Sequence, residues 1–74
     1  MKIMIELFAT FRVGRFKKEH REYQVGSTFR QVIADVGIIE AELGMALVNG
    51  RHTPMEHELS DGDSVALFPL LGGG

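Results

Sequence analysis

An α+β fold, with one main helix packed on one face of a mixed four- to five-stranded sheet, is predicted by three observations. Apolar residues alternate at period two near both ends of the chain, at Ile3, Ile5 and Leu7 and again at Val65 and Leu67, as in strands with one buried face. Phe29, Val32, Ile33 and Val36 fall at i, i+3, i+4 and i+7, the stripe of a helix lying on a sheet. The whole chain is 74 residues long, which is enough apolar surface for one core and too little for two.

The elements follow in order. Lys2 to Phe8 is the first strand, and its β-branched residues suit a pleated surface. After Ala9-Thr10-Phe11 comes a basic, irregular segment, Arg12 to Lys18, with one glycine; it is expected as a long loop outside the core. Glu19 to Val25 alternates polar residues with Tyr23 and Val25 and predicts a second strand, antiparallel to the first and closed by Gly26. Ser27 or Thr28 can cap the helix, with Gln31 three residues beyond Thr28 able to complete a capping box. Gly37 suits the left-handed residue that ends it. Ile38 to Gly44 is a connector with room for a short turn, and Met45 to Val48 is the next strand. Asn49-Gly50 supplies the two positive-φ positions of a tight turn into a short strand at Arg51. Leu59 is an apolar anchor, Ser60-Asp61-Gly62-Asp63 is turn chemistry, and Ser64 to Phe68 is the last strand, halted by Pro69. A right-handed crossover through the helix leaves the slot beside the first strand open, so the last strand is expected there and parallel to it. That arrangement is the β-grasp.

Composition narrows the function. At 45% hydrophobic and 24% charged the chain is globular in type,, and the absence of cysteine excludes disulfides, thiolate metal sites and a thiol nucleophile within it. No apolar run reaches the roughly 20 residues of a membrane span, and the start lacks a signal peptide's apolar stretch; a cytoplasmic protein with no membrane partner is expected. The net charge of −2 hides an asymmetry. Residues 1–30 carry seven of the eight Lys/Arg against three Asp/Glu, and residues 31–74 carry one against seven. With pI ≈ 5.8 the domain lacks the basic footprint of a nucleic-acid binder, so nucleic acid is not an expected partner. Arg12, Arg15, Lys17, Lys18 and Arg21 read as a solvated loop, with contact to an acidic partner, phosphate or RNA as the functional alternative. His52, His57, Glu56 and Glu58 have no metal-ligand spacing, so no metal is expected; Asp61 and Asp63 are explained by a turn. No phosphate-cradling glycine motif is present, so no nucleotide or other cofactor is expected to be bound.

The glycine tail carries the chemistry. Gly72, Gly73 and Gly74 follow one another, and glycine is a poor choice for ordered structure because it loses the most conformational freedom and packs no side chain. The same lack of Cβ lets a backbone thread a narrow channel in a partner and bring a carboxylate up to a reacting centre. The expected organisation is a domain over 1–71 and a flexible tail over 72–74.

With Leu59-Ser60-Asp61-Gly62-Asp63-Ser64-Val65-Ala66-Leu67-Phe68-Pro69 ahead of that tail, the sequence resembles the ThiS/MoaD family of ubiquitin-like sulfur carriers over nearly its whole length. Members of that family end in Asp-Gly-Asp-x-Val-Ala-x-x-Pro-x-x and Gly-Gly. Leu7-Phe8-Ala9-Thr10-Phe11-Arg12 is similar to the Phe-Ala-x-Leu-Arg segment of the MoaD branch, which is favoured. The usual Pro-Pro is here Pro69-Leu70, and the usual Gly-Gly is Gly72-Gly73-Gly74. The resemblance implies a co-substrate, not an enzyme. An adenylating, ubiquitin-activating-like partner spends ATP on the carboxylate of Gly74, or of Gly73 after trimming, and a persulfide donor enzyme converts the adenylate to a thiocarboxylate. The acceptor is a pterin synthase large subunit, for molybdopterin or tungstopterin, with a thiazole synthase of thiamine biosynthesis next. Leu47 and Phe68, expected on the uncovered sheet face, together with Pro69 and Leu70 form the expected docking surface, and the free chain is expected to be a monomer. The alternatives are a ubiquitin-like protein modifier conjugated through its C-terminal glycine and a non-conjugating β-grasp interaction module.

Overall fold

The computed structural model describes residues 1–70; Leu71, Gly72, Gly73 and Gly74, and with them the expected boundary between 71 and 72, lie outside the described residues. Five strands and one α-helix are formed: β1 (Lys2–Leu7), β2 (Lys18–Glu22), α1 (Phe29–Val36), β3 (Leu43–Val48), β4 (Arg51–His52) and β5 (Ser64–Pro69). The sheet order is β2-β1-β5-β3-β4. β5 lies parallel to β1, with Ile5 beside Val65 and Leu7 beside Leu67, and antiparallel to β3, while β1 and β2 are antiparallel. This is the mixed β-grasp sheet, closed at its centre by the last strand.

The helix forms as its sequence dictates. The Thr28 side chain accepts from the Gln31 backbone N–H, and the Gln31 side chain accepts in turn from the Thr28 N–H at 2.7 Å, satisfying amides that have no partner within the helix. Gly37, at φ +87°, closes the other end,. The stripe Phe29, Val32, Ile33 and Val36 is buried against Ile3, Ile5, Leu7, Val65 and Leu67. Asn49 and Gly50 both take positive φ, 51° and 81°, in the β3–β4 turn. Asp63 closes its turn by accepting from the Ser60 N–H and also holds the Asn49 amide, while Asp61 ties the same turn to β1 by accepting from the Lys2 N–H at 2.7 Å.

Two expectations need correction. The second strand is Lys18–Glu22 and not Glu19 to Val25; Tyr23 lies just past its end and Val25 is 90% exposed. The apolar alternation there was misleading because β2 is an edge strand whose helix-side residues are Glu19 and Arg21, opposite Ile5 and Ile3. The segment between the first two strands is not wholly outside the core either. Ala9–Arg12 forms a 3-10 turn that buries Phe11, and Phe16 packs partly against the core beneath the Arg21 guanidinium, 5.0 Å from its ring centre.

Candidate docking surface and tail exit

One face of the sheet carries α1; no helix of the described residues covers the other. Register places Met4 and Glu6 of β1, Ala66 and Phe68 of β5 and Met45 and Leu47 of β3 on that bare face, each half-buried only by its neighbours. The alternation expected for Leu47 and Phe68 is therefore present: Val65, Leu67 and Val48 are buried on the helix side, and Ala46 packs partly against the core.

Phe68 is fixed by a stack. Its ring lies on Phe8 at 4.1 Å between centroids and 9° between planes, and the Arg12 guanidinium sits over Phe8 at 5.3 Å. The Arg12 Nε–H donates to the Leu7 carbonyl at 2.6 Å, so the cation is pinned by backbone at one side and by the aromatic face at another. An apolar hollow of about 310 Å³ follows, lined by Gly44, Met45, His52, Phe68, Pro69 and Leu70.

β5 ends in a tight gap. A Cβ on Gly44 would stand 2.6 Å from the Pro69 carbonyl oxygen and 3.1 Å from the Leu70 Cα, so only glycine lets β5 run this close to β3. The strand pairing is irregular at the same point, between Leu43 and Met45. The Leu70 N–H donates to the Glu42 carbonyl at 2.9 Å, extending the guidance one residue past Pro69. Leu70 then stands 61% exposed at the rim of the hollow. A second hollow of about 330 Å³ opens on the other side of the exit, lined among others by Phe11, Arg15, Ala41 and Glu42.

Of the four expected docking residues, Leu47 and Phe68 are half-buried on the bare face and Leu70 is exposed at the end of β5. Pro69 is buried in the helix-side phase of Val65 and Leu67, yet it lines both hollows beside Leu70. Gly72, Gly73 and Gly74 lie outside the described residues. Sequence reasoning missed Gly44, whose signal was a lone glycine at the start of an apolar run, and it missed Phe8 and Met45 on the bare face. It also missed what the basic segment does. Arg15 donates to the carbonyls of Phe11, Val36 and Gly37, placing a cation at the negative end of α1, and Arg21 donates to Glu19 and Asp35. All three arginines of the basic set, Arg12, Arg15 and Arg21, are therefore engaged by their own chain. Among the described residues no group of three or more His, Asp or Glu is placed to hold a metal ion, and no helix is long and apolar enough to cross a membrane.

The central strand β5 thus ends against Gly44 beside a bare apolar face, and comparison with known proteins places the chain in a family. The sequence model of the ThiS family matches residues 5–74. The chain belongs to the ThiS family. Among solved structures it is similar to the putative molybdopterin converting factor subunit 1 of Pyrococcus furiosus, at 30% identity and TM-score 0.77 over 93% of this chain and 97% of that one. Small archaeal modifier protein 1 of Haloferax volcanii shares the fold at 16% identity and TM-score 0.76, over 92% and 95%. A chain in the complex of subunits 1 and 2 of the Helicobacter pylori molybdopterin-converting factor shares it at 18% identity and TM-score 0.64, over the whole of both chains. This ThiS-family chain has the ubiquitin-like β-grasp fold, and its tail follows the strand that the family match includes.

Proposed function

We propose that this chain is a sulfur carrier whose working group is the carboxylate of Gly74, or of Gly73 after trimming. A partner enzyme transfers AMP from ATP to that carboxylate with loss of pyrophosphate, which turns a poor leaving oxygen into a good one. A persulfide sulfur then attacks the acyl carbon and AMP departs; a thiol of the donor cleaves the S–S bond, leaving the thiocarboxylate and a disulfide on the donor. The chain supplies no catalytic side chain and no thiol of its own, in keeping with its lack of cysteine. What carries the reading is the end of β5: Gly44 and the Leu70–Glu42 hydrogen bond fix it next to Phe68 and Met45, on the bare face that also carries Leu47, so an activating enzyme that grips that face receives the glycines that follow. Leu47, Phe68 and Leu70 are the docking residues of this reading.

The use of the sulfur is proposed to be dithiolene formation on a pterin, with the large subunit of the pterin synthase as acceptor and thiazole synthesis as the second candidate. The 30% likeness to a putative molybdopterin converting factor subunit and the fold shared with a chain solved in complex with subunit 2 of that factor support the first. Intact-mass measurement after incubation with the host's adenylating enzyme, ATP and a persulfide donor tests the proposal. Replacement of one oxygen by sulfur is the expected result. Ladders of heavier conjugates would make the chain a protein modifier, and an unchanged mass with each candidate activating enzyme would leave a β-grasp interaction module.

A further inference from the structure

In place of the monomer expected from the sequence, we propose that the free edge of β2 pairs antiparallel with the same edge of a second copy of this chain, making a twofold dimer with one continuous sheet. β2 is the outermost strand on its side of the sheet, so one row of its backbone groups has no ladder partner among the described residues. Which row follows from the bonds to β1. The Tyr23 N–H donates to the Met1 carbonyl, the Met1 ammonium donates to the Tyr23 carbonyl, and the Leu7 N–H donates to the Lys17 carbonyl. Antiparallel pairing alternates, so Glu19 and Arg21 also turn their backbone groups toward β1. Lys18, His20 and Glu22 turn theirs outward, and all three side chains are exposed.

The sequence of that strand is Lys18-Glu19-His20-Arg21-Glu22, and its charges are self-complementary when it is laid antiparallel on itself about His20. Lys18 then faces Glu22 of the second copy on the bare side of the sheet, and Glu19 faces Arg21 of the second copy on the helix side. His20 meets His20 of the second copy on the twofold axis. Lys18, His20 and Glu22 are the residues with outward backbone groups, so each of these facing pairs is of the kind that exchanges both N–H···O bonds. The alternatives are disfavoured. A slip of one residue puts inward-turned backbone against outward-turned backbone and swaps the faces. A slip of two sets Glu19 against Glu19 or Arg21 against Arg21, and like charges directly opposite destabilise a pair. Charge on an edge strand ordinarily blocks such pairing; here it selects a single register. At the other edge β4 has two residues, too few for the same use. The bare face near Phe68 and the tail exit lie beyond β1, so both copies keep theirs accessible.

Sedimentation equilibrium of the chain from roughly 10 µM to 1 mM, the range suited to a small interface, tests this. The mean mass is expected to climb from 8.2 kDa toward twice that value. Lys18→Glu and Glu22→Lys each place two like-charge pairs in the dimer and should weaken it about tenfold or more. Mixing the two variants restores opposite charges at both positions and should recover the parent's association, as should the double exchange K18E/E22K. Both changes are at exposed side chains, and thermal melts of the single variants check that the fold is intact. A parent mass fixed at 8.2 kDa across the range, single reversals that associate like the parent, or a mixture that fails to recover would each overturn the proposal.

Discussion

The two faces of the sheet use similar apolar residues to different ends. On the helix side Ile3, Ile5, Leu7, Val65 and Leu67 are at most 1% exposed and interlock with the stripe of α1. On the other side Met4, Phe8, Met45, Leu47 and Phe68 are only half-buried, although their sequence neighbourhoods are just as apolar. One face holds the fold together; the other is held by the fold and left open. Alternation alone identifies two faces without saying which is the core; the helix stripe decides it.

The covered face is the more sensitive to substitution. Ile5→Ala or Ile33→Ala removes a fully buried side chain, so each should cost about 2–5 kcal/mol, a large share of the stability of a domain this small. Chemical denaturation of the two variants against the parent measures it, and parent-like midpoints would mean the helix-side packing is misassigned.

Gly44→Ala comes next and probes the exit. The added Cβ must push against Pro69 and Leu70 backbone, which cannot rotate away as a flexible side chain would, and overpacking of this kind costs about 1–3 kcal/mol. Its signature should be a loss of activation by the adenylating enzyme larger than the loss of stability explains, because the displaced backbone is the one that carries the tail. Equal losses in both would reduce Gly44 to a packing residue. Phe68→Ala is the bare-face counterpart of Ile5→Ala. It removes one half-buried ring and the stack on Phe8, about 1–2 kcal/mol of fold stability, while weakening the complex with an activating enzyme more strongly, as anchors in an interface do. Calorimetric binding measured beside a thermal melt separates the two.

Most of the architecture was legible because local and long-range signals agree. The capping box of Thr28 and Gln31, the Gly37 cap, the Asn49-Gly50 turn and the parallel placement of β5 all follow from residue types at set spacings. What was not legible depends on contacts between distant segments. The bounds of β2 are misread because its helix-side residues, Glu19 and Arg21, are polar, and Arg21 covers Phe16 and reaches Asp35 of α1 where an apolar side chain would be expected. Arg15 gives no local sign that it caps α1, since its carbonyl partners at Val36 and Gly37 lie a helix away in sequence. On the candidate surface, Leu47 and Phe68 could be phased from the strands, but Pro69 was grouped with them by adjacency, and strand geometry sends it to the opposite side.

The smallest effect lies at the edge where the covered face runs out and is closed by polar groups. The Tyr23 hydroxyl donates to Asp35 at 2.8 Å and Arg21 donates to the same carboxylate oxygen at 3.0 Å. Partial burial first, and the hydrogen bond and charge of Asp35 next, push the Tyr23 phenol up to about 12, against about 10 for a free tyrosine. The folded state thus favours the neutral phenol. The stability this contributes is complete below about pH 10 and is lost as pH rises through about 12,. Tyr23→Phe should remove that part of the alkaline loss while leaving neutral-pH stability changed only slightly, since the ring's packing survives. The chain has one tyrosine and no tryptophan, so phenolate absorbance follows this residue without interference. A folded-state titration at the free-tyrosine value would show that Asp35 and Tyr23 do not close the edge. A titration displaced upward in the parent and restored toward the free value by Asp35→Ala would assign part of the shift to the carboxylate, and the remainder to burial beside a core that ends there.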